Sequence, residues 1–353
     1  MIGPVQVAVV GAGIIGCAIA HELATRGADV TVFDRRGVAR GASWASAGVL
    51  APWIEAHEQG PLLEMCARSL AMYDGFVERV RQDGGAAFEY ARPGTLETAY
   101  TDDHAAALER TAHALRAAGV RAEWFEGGTA RTIEPALSDR VVAGLQIDDH
   151  GFVEMPGLVD AISVAARMRG AAFHSPIDVT KIEPAPGGAV RIHTSTGPHT
   201  FDHVVMAGGS WASRLKAGGP QVKPIKGQLI RLRFDAPPAT RVLWSDACYL
   251  VPWQDGTVLA GATMEDVGFD ERPTAQAVAA LLEAAAALMP AVRDAAFVDV
   301  RTGLRPSLDE AGAPPFIGAA ASIANVTIAA GHFRNGVLLA PLTAALAADA
   351  VLA

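Results

Sequence analysis

Near its start the chain has a run, Val5–Val10, apolar but for Gln6, the pattern of a strand buried on both faces of a parallel sheet. A helix is predicted from about Gly13 to Arg26, with Gly27 placed to take its left-handed stop. Val30–Phe33 is the next strand, so the opening segment reads βαβ. Apolar positions Leu62, Leu63, Met65, Leu70, Met72 and Val77 then predict a helix over Pro61–Arg81. Beyond it the texture changes. Phe88–Thr98 reads as extended, Asp102–Ala118 as an amphipathic helix and Pro156–Arg169 as another. Ala189–Thr194 and Thr200–Met206 read as a strand pair. Leu229–Phe234, Ala247–Pro252 and Thr257–Ala260 are strand-like, the last two joined by the turn Gln254-Asp255-Gly256. Thr274–Met289 is an Ala-rich helix ending before Pro290. Val326–Ala330 is a short apolar strand, and a helix follows within Gly336–Leu352. The two ends therefore read as parts of one α/β domain, and the middle as a mainly antiparallel sheet sharing the chain with it.

With 353 residues, 50% hydrophobic and 19% charged, the chain can bury a large core and suits two domains. A net charge of -9 would repel phosphate backbones, which argues against nucleic acid as a partner. Cys17, Cys66 and Cys248 have no metal spacing and read as buried thiols in a reducing compartment. Neither HExxH nor a comparable cluster is present, so no metal site is expected. The apolar C-terminal stretch contains Pro341 and Asp349 and is short for a bilayer, and no basic leader precedes Val5. The expectation is a cytoplasmic protein with no membrane partner.

Gly11-Ala12-Gly13-Ile14-Ile15-Gly16 is a GxGxxG motif between a predicted strand and helix, and Asp34 closes the next strand. In that context it is the dinucleotide fingerprint. The glycines allow a tight turn and close backbone approach to a pyrophosphate. The helix N-terminus offers N–H groups and the positive end of its dipole. Asp34 is placed to accept from ribose hydroxyls.

The segment Gly41-Ala42-Ser43-Trp44-Ala45-Ser46-Ala47-Gly48-Val49-Leu50 resembles the small-residue stretch of the D-amino-acid-oxidase-like flavoproteins, where it passes the flavin. Val204–Trp211 resembles the strand-to-glycine turn that closes over the dinucleotide. Gly331-His332-Phe333-Arg334-Asn335-Gly336-Val337-Leu338, Gly303-Leu304-Arg305-Pro306 and Tyr249-Leu250-Val251-Pro252 look like the glycine oxidase branch of that family. The similarity runs in register from about Val5 to Leu346. It implies FAD as cofactor and a Rossmann-like FAD-binding domain over 1–85, 140–222 and 300–353. The substrate domain would then span 86–139 and 223–299. It carries flavin contacts onto Gly11, Gly13, Ile14, Ile15, Gly16, Asp34, Arg35, Ala42, Ser43, Ser46, Ala47, Gly48 and Val49. Further contacts fall on Val179, Ala207, Gly208, Trp211, and on His332 to Leu338, namely His332, Phe333, Arg334, Asn335, Gly336, Val337 and Leu338.

The same resemblance assigns Arg305 and Tyr249 to the substrate carboxylate and Arg334 to the pocket beside the flavin. A planar guanidinium suits a carboxylate because it donates two parallel hydrogen bonds. Read on its residue type alone, Arg305 is rather an arginine in a structural ion pair, and it is the resemblance that reverses this. Val49, Ala51, Ala247 and Met264 fall on the substrate pocket, with Trp53 and Glu55 in a divergent lid. Ala247 stands where the branch has a histidine, which implies a roomier, less polar wall. The implied reaction is oxidation of a small amino acid or N-substituted glycine, hydride passing from the substrate Cα to flavin N5 and electrons to O2. A homo-oligomer is implied by analogy. Two rivals stay open, a bulkier secondary amine and a D-amino acid dehydrogenase with a non-oxygen acceptor, while the acidic charge argues against a flavoprotein acting on tRNA. A non-catalytic flavin binder would need neither Arg305 nor Tyr249.

Overall fold

The computed structural model describes residues 3–55, 60–84, 86–308 and 312–353. Met1 and Gly85, the limits of the first expected segment, lie outside these, as does the Glu55 side chain. A six-stranded sheet runs in the order Phe316–Ala319, Val326–Ala330, His203–Met206, Gln6–Val10, Asp29–Phe33, Ala172–His174. All neighbours are parallel except the antiparallel edge strand Phe316–Ala319. Continuous apolar runs are what such a sheet requires, since helices or a second sheet cover both faces. One face buries helices Ile14–Thr25, Pro61–Gln82, Gly157–Met168 and Gly336–Leu352 in a common core. The other packs against a small antiparallel sheet, Val179–Pro184, Val190–Thr194 and Gly197–Phe201. Gly27 takes φ +88°, as the predicted helix stop demands.

The expected pairing of Ala189–Thr194 with one run Thr200–Met206 is corrected here. Val190–Thr194 pairs with Gly197–Phe201, whereas His203–Met206 pairs with Gln6–Val10 in the large parallel sheet. The break is Asp202, whose carboxylate accepts from Gln6 N at 2.8 Å and turns the chain from one sheet into the other.

An eight-stranded sheet runs Ala296–Ser307, Lys223–Arg233, Thr257–Gly261, Tyr249–Pro252, Val242–Trp244, Thr95–Ala99, Ala143–Ile147, Ala122–Glu126. It is antiparallel apart from the pair Val242–Trp244 with Thr95–Ala99. The helix Ala275–Leu288 closes a second core against it. Ala143–Ile147 and Ala296–Ser307, which the expected division gives wholly or partly to the nucleotide domain, pair in this sheet. No described helix is long and apolar enough to cross a membrane. All three cysteines are buried and unbridged, and burial pushes the Cys17 and Cys248 thiols upward.

The last helix starts at Gly336, within the stretch predicted for it, and Pro341 stands inside it, where it cannot bond to the Val337 carbonyl. Two side chains of the helix Pro61–Gln82 repair the gap. The Tyr73 hydroxyl donates to Val337 O at 3.2 Å. Ser69 Oγ donates to Leu338 O at 2.7 Å and accepts from Leu342 N at 3.3 Å.

Candidate active site

The strand Gln6–Val10 ends at Gly11, whose φ of +113° only glycine adopts readily. A Cβ there would lie 2.4 Å from Ala207 O, so the two crossover turns meet backbone to backbone. Gly16 packs still closer, since its Cβ would lie 1.9 Å from Gly11 O. Asp34 fastens this loop: Oδ2 accepts from Ala12 N at 2.8 Å, and Oδ1 from Arg36 N and Gly37 N at 2.7 and 2.8 Å. Ser43 Oγ accepts from Ile14 N at 2.9 Å and so brings the small-residue segment to the helix mouth. Beside it, the Arg35 and Arg36 guanidinium carbons stand 4.5 and 4.3 Å from the centre of the Trp211 ring. Burial, with Arg214 and Arg36 nearby, lowers the Arg35 pKa from its ordinary value, the mark of an arginine cluster that favours an anion.

These loops open into a cavity of about 740 Å³, within the range of a ligand-binding cleft. Its wall also takes residues from the eight-stranded sheet. There Gly303 lets the strand Ala296–Ser307 touch the small-residue segment, a Cβ at Gly303 falling 2.7 Å from Ala45 Cβ. Arg305 Nη1 donates to Thr263 O at 2.9 Å and, more weakly, to Lys226 O at 3.4 Å. Tyr249 lies over Gly261, where a Cβ would meet its hydroxyl oxygen at 2.7 Å. Trp244 flanks Tyr249 with ring centres 4.9 Å apart. Met264 lines the cavity at its rim, 64% exposed, and Ala247 is exposed on the same wall.

At the far end the turn Gly331–Asn335 leads into the last helix. Phe333 holds φ +47°, a left-handed conformation costly for a phenylalanine, and its N–H donates to Pro306 O at 2.9 Å. His332 is buried against Thr343, Nε2 to Oγ1 3.0 Å, and burial pushes its pKa down to about 3, so it is a neutral group. The first N–H groups of that helix have no acceptor within it and face the same region as Gly336 and Val337, which line the cavity.

The family model for FAD dependent oxidoreductase, termed DAO, matches residues 6–350. The chain belongs to this FAD dependent oxidoreductase family. Glycine oxidase of Geobacillus kaustophilus is 35% identical over 351 residues, covering 98% of this chain and 92% of that protein. The crystal structure of glycine oxidase from that organism superposes with a TM-score of 0.93 at 32% identity, over 99% and 95% of the two chains. Iminodiacetate oxidase from Chelativorans sp. BNC1 superposes at 0.89 with 28% identity, over 98% and 95%.

FAD is the family's cofactor, and the residues here fit it. The glycine contacts at Gly11 and Gly16 leave backbone where any side chain would intrude. The helix mouth and the Arg35–Arg36 pair suit a diphosphate. Asn335 Oδ1 is buried and meets no donor among the described residues. Among the residues that the sequence assigns to this family's site, nearly all line the cavity, including Arg305, Tyr249, Arg334, Val49, Ala247, Met264 and Val179.

Gly16, Ala51, Asn335 and Leu338 do not themselves line the cavity. Gly16 serves loop packing against Gly11. Ala51 is fully buried in a core with Ile54 and Leu145. Asn335 and Leu338 sit behind the helix mouth, 4% and 1% exposed. The sequence reading also passed over lining residues, among them Arg36, Arg40, Gln228, Trp244 and Glu97. Glu97 had a signal: an acid between Leu96 and Thr98 in a run otherwise built for burial.

Proposed function

We propose that this FAD-dependent amine oxidoreductase oxidises a small amino acid or N-substituted glycine, with oxygen as the final acceptor. The observation that carries the reading is that Arg305 and Tyr249, laid over Gly227 and Gly261, line the same cavity as the nucleotide loop. The relatives named glycine oxidase and iminodiacetate oxidase support it, since both names describe carboxylate-bearing amines. Bound FAD supplies a two-electron acceptor for oxidation of the carbon–nitrogen bond.

The chain's own residues orient and exclude. Arg305, pinned through Nη1 by Thr263 O, presents a planar fork to the substrate carboxylate, and the Tyr249 hydroxyl donates to the same group. Trp244 backs the tyrosine ring and keeps it over Gly261. Fixing one end of the substrate in this way sets the position of its Cα without a base on carbon, so binding geometry does most of the work. Arg334 at the rim adds positive charge that draws the carboxylate in.

The test is a flavin absorption spectrum followed by anaerobic bleaching with glycine, N-methylglycine and D-alanine, then peroxide assay in air. Arg305→Ala should raise KM by about a hundredfold or more while retaining the flavin spectrum. An unchanged KM in that variant removes Arg305 from the role.

A further inference from the structure

We propose that Glu97 is the distal anchor of the substrate pocket and selects amines whose far end carries a positively charged nitrogen. This deepens the amine-oxidation reading above and rests on it. Glu97 lies in the strand Thr95–Ala99 and lines the same cavity as Arg305 and Tyr249. Strand register fixes where it points. Glu97 pairs with Trp244, and Trp244 with Tyr249, so the three side chains stand in one row on one face of the sheet. Two strand spacings, about 9–10 Å, separate the Glu97 and Tyr249 backbones.

The carboxyl of Glu97 has no hydrogen bond or ion pair among the described residues. Asp246, which also lines the cavity, disfavours its charged form. On its outer side Asp246 meets His104, Nδ1 to Oδ2 3.4 Å. A carboxyl held largely away from water without a partner is costly, and folds retain such groups where a ligand completes them. Ala247 adds the room. With no large side chain there, a substituent can run from Tyr249 past Trp244 towards Glu97. The pocket thus has opposite charges at its two ends: guanidinium for a carboxylate, carboxylate for an ammonium.

The test compares two achiral N-substituted glycines, N-(4-aminobutyl)glycine and its uncharged isostere N-pentylglycine, in anaerobic flavin bleaching. Glycine and N-methylglycine are run beside them. Wild-type enzyme should prefer the charged compound by about tenfold or more, the worth of one hydrogen bond to a charged group. In Glu97→Gln the ratio should fall to near one, through KM rather than kcat, and Glu97→Asp should restore part of it. Calorimetry with 6-aminohexanoate against heptanoate, neither of them oxidisable, should show the same ratio in binding. Equal rates in wild type, or a ratio that survives Glu97→Gln, overturns the proposal. If glycine or N-methylglycine bleaches the flavin while that ratio is one, only the distal anchor fails. If none of the four amines bleaches it, the amine-oxidase reading fails and the anchor with it.

Discussion

The Arg305 guanidinium lies so close to Gly227 that a Cβ on that glycine would come within 2.4 Å of Cζ, Nη1 and Nη2. The pair faces across two antiparallel strands, Arg305 pairing with Ile225 two residues away on the glycine's own strand. A methyl group there has nowhere to go but into the fork. Gly227→Ala should therefore displace the guanidinium and lower kcat/KM for glycine by about tenfold or more while FAD is retained. In an Arg305→Ala background the same change should cost little. A double-mutant cycle on kcat/KM checks this, and strict additivity would separate the two residues.

Pro341 leaves Val337 O to Tyr73, which is wholly buried. Tyr73→Phe keeps the ring and strips the donor, so a buried carbonyl is left without a partner. The expected cost is about 1–3 kcal/mol of stability, read as a fall in Tm. Because the same helix presents Gly336 and Val337 to the cavity, flavin retention should fall as well. A Tm equal to wild type would show that the hydroxyl contributes nothing there.

Acid should weaken the fold through its buried imidazoles. Burial lowers His332 and His150 from 6.5 to about 3, so each is held neutral. A depressed pKa contributes stability that is complete above the unfolded value of 6.5 and is lost as the pH falls towards about 3. The slope is about 1.4 kcal/mol per pH unit for each histidine. Unfolding in urea across that window should follow it, and His332→Gln should flatten the curve.

Glu97 has the opposite sign. Burial and then Asp246 raise it from 4.5 to about 7. Its contribution is complete below 4.5 and fades as pH rises through about 7, where the folded chain must hold an ion without a partner. Glu97→Gln should thus melt above wild type at pH 8, with the gap closing by pH 5. A gap that does not depend on pH would mean that packing, not charge, sets it.

The parallel sheet and the cofactor loop were readable because each rests on local pattern. Val7–Val10 is a run that two-sided burial explains, and Gly11, Gly16 and Asp34 carry the loop within a few turns of chain. What was unreadable depends on distant partners. The break at Asp202 follows from its bond to Gln6, far off in sequence, and apolar periodicity cannot tell one sheet from another. Pro341 could be accepted mid-helix only because Ser69 and Tyr73 arrive from elsewhere. Resemblance placed Ala51, Asn335 and Leu338 near the site but not which way they face. Glu97 was visible as a misfit in its strand, and its meaning came only with the register that sets it beside Trp244 and Tyr249.

The cavity's walls come from both extremes of the chain, Gly11 on one side and Gly336 on the other. During synthesis the glycine loop leaves the ribosome first and waits for the helix that faces it. The loop alone therefore makes only half of the cleft, and the dinucleotide is enclosed once the segment around Gly336 has been made and has folded back.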